Sequence, residues 1–537
     1  MKKSTADIMV DALVENGVDT VFGIPGAHSY ELSDALARRG NDVRFIHTRH
    51  EQGSGYMAYG YAKSSGKPGV FTVVPGPGVL NAGAAICTGY GGNAPMMCLT
   101  GNIMSHLIGQ GRGQLHELPD QLATLKGLTK YADRIDHPSE AGAKMTTAFE
   151  EMISGRQRPV AVEVPWDVFG QKGVEADITP AVASKPAIDP DAISEAAKMI
   201  AAAKNPMIMV GGGALDAAAE VLALAEKIQA PVASHRSGKG IVAADNPLAM
   251  DLIAAYDYFK ECDLLIGIGS RLELQFMRWQ WKPEGLKTLR IDIDPTEMVR
   301  LKPDFGVVAD AAEATALITD ALTDQAADRT AEFEAINVKA KEAADTVQPQ
   351  MGYLDAIRRA LPRDGFFVEE VSQMGFTARF GFPVYAPRQY VTCAYQDNLG
   401  FGYNTALGVK VANPDKVVVS VSGDGGFMFG MQEMATAVQH GIGVIAVVFN
   451  NNAYGNVRRD QVNGFDGRLL GSELVNPDFV AMASSFGMPA TQATTPAELE
   501  AAIEKAIADG GPAFIEVPVE TGSETSPWQF LHPAPHA

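Results

Sequence analysis

The feature that most constrains this chain is a recurrence: short, apolar, β-branched runs that stop at glycine or asparagine, separated by stretches with helical periodicity. VFGIPG, GVFTVVPGPG, MMCLTG, MIMVGGG, LLIGIGS, VVVSVSGDGG and IAVVFNNN are such runs. Apolar runs without alternation describe strands buried on both faces, and the helical stretches supply the crossovers that parallel strands require. The fold class predicted is therefore α/β, built of doubly wound parallel sheets. The 54 glycines and 31 prolines are spread through the chain and form no low-complexity block, which suits many strand-to-helix turns.

A chain of 537 residues exceeds one core, and the size prior gives about three domains. Two segments interrupt the alternation. Gly173 to Pro190 is rich in proline and alanine and lacks a sheet signal, and Ala326 to Pro349 is a charged helical pattern. They divide the chain into 1–172, 190–325 and 350–537. The outer segments end alike, RPVAVEVP at Arg158 to Pro165 and GPAFIEVP at Gly511 to Pro518, each after an alanine-rich amphipathic pattern. The echo suggests that the first and third domains share an architecture.

The formal charge of -20 comes from acidic residues scattered over predicted helices, with no basic patch, which argues against a nucleic-acid partner. Cys87, Cys98, Cys262 and Cys393 lack metal-ligand spacing and read as buried thiols of a reducing compartment. Asp7, Asp11 and Glu15 interrupt any signal-like apolar run near the amino terminus. No later stretch reaches the roughly 18 to 20 apolar residues of a membrane span. A cytoplasmic protein without membrane attachment is expected.

The sharpest chemical signal is in the third segment. KVVVSVS runs into Gly423-Asp424-Gly425-Gly426, and GVIAVVF runs into Asn450-Asn451-Asn452. Both polar tips fall at carboxyl ends of strands, where open α/β sheets bind ligands. Asp424 and Asn451, 451 − 424 = 27 positions apart, offer hard oxygens suited to magnesium. The glycines allow a diphosphate close to the backbone, and a helix expected to begin near Phe427 would point free N–H groups at it. Ala453, in the following AYG, could turn its carbonyl inward.

This composite resembles the cofactor motif of thiamine diphosphate enzymes, GDG followed after nearly thirty residues by NN. The resemblance, to acetolactate synthase, benzoylformate decarboxylase and benzaldehyde lyase, runs along nearly the whole chain. It implies pyrimidine-binding, middle and diphosphate-binding domains, with thiamine diphosphate held through Mg2+. Asp424, Asn451 and the Ala453 carbonyl would bind the metal. Gly423, Gly425, Gly426, Ser372, Gln373, Tyr454 and Gly455 would lie near the cofactor. Leu399, in YQDNLGFGYNTALG, falls where relatives place an apolar residue between the cofactor rings, and could equally be a core leucine. The Asp397 backbone carbonyl could meet the pyrimidine amino group.

In the first segment VRFIHTRHEQGSGYMAYGYAKSSGKPGV resembles the RHE…GYAR…GKPGV stretch of acetolactate synthases, with Glu51 at the strand-to-helix turn. Taken alone such a glutamate is more often a capping or dipole-pairing residue than a catalyst. The resemblance makes it the carboxylate that activates the aminopyrimidine, meeting the metal half of the site across a subunit interface. A homodimer or homotetramer is thereby implied.

Pocket residues address the reaction. His28, in GIPGAHSYEL, matches the GAH of benzaldehyde lyase, and His116, in GQGRGQLHELPDQ, stands where relatives carry glutamine or histidine. Each could shuttle a proton or be an ordinary loop histidine. Pro75 stands where benzoylformate decarboxylase has a catalytic histidine. Arg458 and Arg459 could meet a substrate carboxylate, the diphosphate or solvent. The glycine-rich turns of the middle segment lack the G-x-G-x-x-G that a nicotinamide-dependent dehydrogenase would need. The flavin contacts of acetolactate synthases are replaced at Ala254 to Asp257 and Arg271 to Phe276, so no FAD is expected. The expected function is C–C lyase or carboligase chemistry on 2-oxo acids, aldehydes or acyloins, the alternatives being a flavin-containing acetolactate synthase and a noncatalytic paralogue.

Overall fold

The computed structural model describes residues 2–173 and 178–535. Among these described residues eighteen strands form three six-stranded sheets whose strands pair in parallel. The first sheet contains β1 (Thr20–Gly23), β2 (Arg44–His47), β3 (Gly69–Val73), β4 (Met96–Asn102), β5 (Tyr131–Arg134) and β6 (Val160–Pro165). The second contains β7 (Pro206–Val210), β8 (Val232–Ser234), β9 (Ala249–Met250), β10 (Leu264–Ile268), β11 (Lys287–Asp292) and β12 (Phe305–Val308). The third contains β13 (Phe366–Glu369), β14 (Tyr390–Val391), β15 (Val418–Gly423), β16 (Val444–Asn450), β17 (Ala490–Gln492) and β18 (Ala513–Pro518).

The outer sheets have the same order, β2-β1-β3-β4-β6-β5 and β14-β13-β15-β16-β18-β17. The two Glu-Val-Pro strands, β6 and β18, occupy the same fifth place, so the repeated ending read from the sequence marks a repeated architecture. The middle sheet differs, β12-β11-β10-β7-β8-β9, a doubly wound order that reverses between β10 and β7. Every residue of β3, β4, β6, β7 and β10 is buried, as strands covered by helices on both faces must be.

The first and third domains meet through two helices, Glu51–Ser65 and Gly402–Ala412, each following the second strand of its sheet. Glycines let their backbones approach: a Cβ on Gly60 would lie 2.0 Å from the Thr405 carbonyl oxygen, and one on Gly408 1.9 Å from that of Met57. The middle and third domains share an apolar cluster, to which the helix Thr330–Ala344 contributes Phe333, Ala340 and Ala344. Of the segment Gly173 to Pro190, residues 174–177 lie outside the described residues, and 178–189 run without helix or strand. Among the described residues no helix is long and apolar enough to cross a membrane. No cysteine is disulfide-bonded; three are buried, whereas Cys87 is half-buried, a correction to the expectation for all four.

Candidate active site

In the third sheet the chain leaves β13 in one direction and β15 in the other, opening a crevice at their carboxyl ends. A cavity of about 240 Å³ lies there, lined by Ser372, Gln373, Asp397, Leu399, Gly423 to Gly426, Asn451 and Ala453 to Val457, with Glu524. The structure thus gathers the sequence-predicted metal and cofactor residues of this domain around one space.

The helix expected near Phe427 instead begins at Asp424 and ends at Phe427, directly against the end of β15. Its start at Asp424 puts the N–H groups of Gly425 and Gly426 inside the first turn, where they have no intrahelical acceptor. Packing also demands these glycines. A Cβ on Gly425 would lie 2.5 Å from the Tyr454 ring, and one on Gly426 2.6 Å from Glu370 Oε1. Gly455 begins the helix Gly455–Gly464 within 2.8 Å of Asn451 Nδ2, again measured from an added Cβ.

Asp424 is 2% exposed, and no arginine or lysine among the described residues pairs with it. Its carboxylate accepts from Asn476 Nδ2 at 2.6 Å. Burial pushes the Asp424 carboxyl up, against the pull of Asn476 and nearby backbone N–H groups. Such a charge calls for a cation. Asn451 donates from Nδ2 to Glu524 at 2.7 Å, which turns its oxygen toward the loop, where it accepts from the Ala453 N–H at 3.1 Å. Among the described residues no group of three or more His, Cys, Asp and Glu could hold a metal. Two side-chain oxygens, a backbone carbonyl and room for more oxygens suit a hard cation that shares its shell with diphosphate and water. Asn476 and Glu524 escaped the sequence reading; Glu524 lies in the acidic stretch VETGSE that follows the apolar strand β18, a signal that could have been used.

Ser372 caps the helix Gln373–Gly381, accepting from the Gly375 N–H at 3.1 Å, and the buried Gln373 keeps its Oε1 without a partner. Leu399 is half-buried on the cavity wall, in a turn where Asp397 has φ 43°. Beneath that turn lies Glu370, fully buried, which accepts from the Gly400 N–H. Burial raises the Glu370 carboxyl to about 7, against the pull of Ser422 and of the Gly400, Phe401 and Gly402 N–H groups.

The first domain holds the remaining predicted residues. Glu51 is the first residue of its helix, half-buried, and its Oε2 accepts from Asn81 Nδ2 at 3.0 Å. His50 caps the helix by accepting from the Gln52 N–H. His28 follows β1 in a left-handed conformation and donates from Nε2 to the Leu115 carbonyl at 3.0 Å, leaving Nδ1 buried and free of partners. Burial lowers the His28 pKa, the hydrogen bond to Leu115 opposing this. His116 packs edge-on to His28, 5.4 Å between centroids, and its own Nδ1 is also buried and unpartnered. Gly76, next to Pro75, lies so close that a Cβ would fall 2.5 Å from the His116 carbonyl oxygen. Within one chain, Glu51, His28 and His116 do not line the cavity of Asp424.

Arg459 donates to Ser526 Oγ and Asn456 Oδ1 and lies over Trp528, which commits it to the C-terminal segment. Arg458 faces Glu473 at 3.8 Å. In the middle domain Ala254 to Asp257 falls within the helix Leu252–Phe259, whose two alanines are fully buried. Arg271 lies over the Tyr395 ring.

The chain matches three family descriptions in succession: thiamine pyrophosphate enzyme, N-terminal TPP binding domain over residues 3–124, central domain over 193–318, and C-terminal TPP binding domain over 370–517. It is 32% identical to a probable 2-ketoarginine decarboxylase of Pseudomonas aeruginosa, over 95% of this chain and 93% of that one. A probable acetolactate synthase large subunit of Methanocaldococcus jannaschii is 32% identical, over 96% and 92% respectively. The acetolactate synthase isozyme 1 large subunit of Escherichia coli is 30% identical, over 97% and 95%. A site built on paired strand ends, and matches that span all three sheets, place this chain in the family of thiamine pyrophosphate enzymes.

Proposed function

We propose that this protein uses thiamine diphosphate, held through Mg2+ by Asp424, Asn451 and the Ala453 carbonyl, to break or form a C–C bond beside a carbonyl. The observation that carries the metal assignment is Asp424, a buried carboxylate without a cationic partner among the described residues, facing a cavity at the crevice between β13 and β15. When bound, the cofactor supplies a thiazolium carbon that adds to the carbonyl and an electron sink for the carbanion left behind. The chain supplies the rest. Gly425 and Gly426 present backbone N–H groups to the diphosphate, Ser372, Gln373, Gly423, Tyr454 and Gly455 shape its seat, and Leu399 fills the wall beside the rings. Glu51 exchanges a proton with the pyrimidine ring. His28 is neutral near pH 7, with Nε2 fixed as a donor to Leu115, so its free Nδ1 accepts a proton from the substrate side. His116, packed against it, completes the relay.

The substrates proposed are 2-oxo acids, with aldehydes or acyloins as partners in ligation or cleavage; the names of the decarboxylase and synthase relatives support this class. The functional domains proposed are 1–172, 190–325 and 350–537, a reading supported by one six-stranded sheet falling within each. Because Glu51 and the histidines stand apart from the Asp424 cavity within one chain, the complete site is assigned to a homodimer or homotetramer that joins the first domain of one copy to the third of another. Four unpaired cysteines suit the cytoplasm. The flavin-containing acetolactate synthase reading is not favoured.

The test is calorimetric titration of the metal-stripped protein with thiamine diphosphate, with and without Mg2+, followed by assays on pyruvate, benzoylformate and benzoin. Binding that requires Mg2+, with release of carbon dioxide or aldehyde, is expected. Binding indifferent to Mg2+ would remove the metal assignment, and absence of turnover on 2-oxo acids and acyloins would remove the substrate class.

A further inference from the structure

Leu399 and the Asp397 carbonyl belong to one turn, and that turn is held from three domains. Its own domain contributes Arg379, 1% exposed, which donates from Nη2 to Asp397 Oδ1 at 2.6 Å and from Nε to Glu369 at 3.3 Å. The first domain contributes Thr88 and Tyr56, both hydrogen-bonded to Asn398. The middle domain contributes Arg236, 4% exposed, which follows β8. Each nitrogen of this guanidinium is engaged: Nε donates to His235 Nε2 at 3.1 Å, Nη1 to the Ala394 carbonyl, and Nη2 to Asp397 Oδ2 at 2.9 Å.

Three non-glycine residues in this contact have left-handed backbones, Arg236 at φ 49°, Ala394 at 54° and Asp397 at 43°. Residues other than glycine keep such conformations where surrounding bonds over-determine them. Arg379, itself held by Glu369, already ties Asp397 Oδ1 within the third domain, so its fold has an anchor of its own. What Arg236 adds is a closer bond to Asp397 Oδ2, at 2.9 Å where Arg379 Nη1 stands at 3.4 Å, and the Ala394 carbonyl, two points that together fix the direction of the turn. A planar guanidinium meets the two from separate nitrogens in a fixed fork, whereas an ammonium must reach both from a single nitrogen.

We infer that Arg236 is a positioning residue, by which the middle domain, distant from the metal motif, holds the Asp397–Leu399 turn against the ring end of the cofactor. The inference rests on the reading of the cavity as the thiamine diphosphate site. It separates two parts of binding. The diphosphate end depends on Asp424, Asn451 and the glycines, whereas the ring end depends on the turn and therefore on Arg236.

The experiment uses full-length protein and four variants: Arg236→Ala, Arg236→Lys, Asp397→Asn and the double variant Arg236→Ala/Asp397→Asn. Each is titrated, with Mg2+, with thiamine diphosphate and with inorganic diphosphate. For Arg236→Ala, diphosphate affinity is expected to stay within about twofold, while thiamine diphosphate affinity falls about tenfold or more, the scale of one charged hydrogen bond. Arg236→Lys recovers only part of the loss. The double variant loses less than the sum of the two single losses, since the Arg236–Asp397 contact is disrupted in both. Unchanged thiamine diphosphate affinity in Arg236→Ala, a parallel fall in diphosphate affinity, or additive single losses would each overturn the inference. If Arg236→Ala does not fold, Arg236→Lys and Asp397→Asn carry the same comparison between the two probes. An unsubstituted chain that binds no thiamine diphosphate with Mg2+ would instead sink the reading of the site itself.

Discussion

Asp424→Asn has two consequences of opposite sign, and together they test the metal site. In the metal-free protein Asp424 is 2% exposed without an ion-pair partner among the described residues. An uncompensated buried charge costs several kcal/mol. The Asn476 bond at 2.6 Å returns about 1.5–3 kcal/mol of that, the range for a hydrogen bond to a charged group. Asparagine keeps the shape and one acceptor for Asn476 and discards the charge. The metal-free variant should therefore be more stable by about 1–2 kcal/mol, an increase of about 2–8 °C in the melting temperature of a domain this size. Metal-dependent binding should vanish. At one hundred times the dissociation constant, cofactor with Mg2+ adds about 2.7 kcal/mol, or about 5–11 °C, to the unsubstituted protein and nothing to the variant. Thermal unfolding in EDTA, and again with Mg2+ and thiamine diphosphate, reads both. A variant that melts lower in EDTA, or that keeps the cofactor-induced shift, would refute the reasoning.

Glu51→Gln should bind thiamine diphosphate with unchanged affinity in calorimetry yet lose most turnover, because an amide cannot exchange a proton with the pyrimidine; near-normal turnover would exclude Glu51 from that role. His28 is held below its unfolded pKa by burial, so its neutral form stabilises the fold fully above about pH 6.5, and that contribution is lost as pH falls through the region below. A melting-temperature profile from pH 8 to 5 should accordingly flatten in His28→Gln, and an unchanged slope would contradict the burial argument. Gly408→Ala gains about 1 kcal/mol of helix propensity, but its Cβ would lie 1.9 Å from the Met57 carbonyl oxygen. Separating two packed backbones costs about 1–3 kcal/mol or more, so a net fall in melting temperature is expected, and a rise would mean that the helices Glu51–Ser65 and Gly402–Ala412 do not bear on each other as described.

The centres of the sheets are legible in the sequence and the edges are not. The seven apolar runs are β1, β3, β4, β7, β10, β15 and β16, all interior to their sheets. The edge strands β2, β5, β9, β12, β14 and β17 are two to four residues long, and five of them are partly exposed, so none produces a continuous apolar run. The same division holds in the site. Asp424 and Asn451, the metal ligands proposed, stand out in the sequence because each directly follows a buried strand. The relevance of Arg236 depends on a contact with Asp397 across 161 positions, and that of Asn476 on one with Asp424 across 52. No local pattern encodes such pairs. The helix after β15 was misplaced because its four residues, DGGF, carry no helical periodicity, only the glycines that allow a tight strand-to-helix turn.

The repeated strand order also explains how one fold, used twice, provides two unlike halves of a site. β13, β14, β15 and β16 correspond by place to β1, β2, β3 and β4. The turn after β15 carries Asp424 between glycines, whereas its counterpart after β3 is Val74-Pro75-Gly76-Pro77, which offers no ligand and no N–H at its prolines. The proposed metal and diphosphate seat therefore has its groups in the third domain and lacks them at the same place in the first. The helices after β2 and β14 differ in the complementary sense: the former begins with the carboxylate of Glu51, the latter follows the left-handed Asp397 turn that leads to Leu399. On the proposed reading one copy anchors anionic oxygens and shapes an apolar wall, and the other exchanges protons. These are the two demands of a cofactor with a charged tail and a protonating ring, and neither copy meets both.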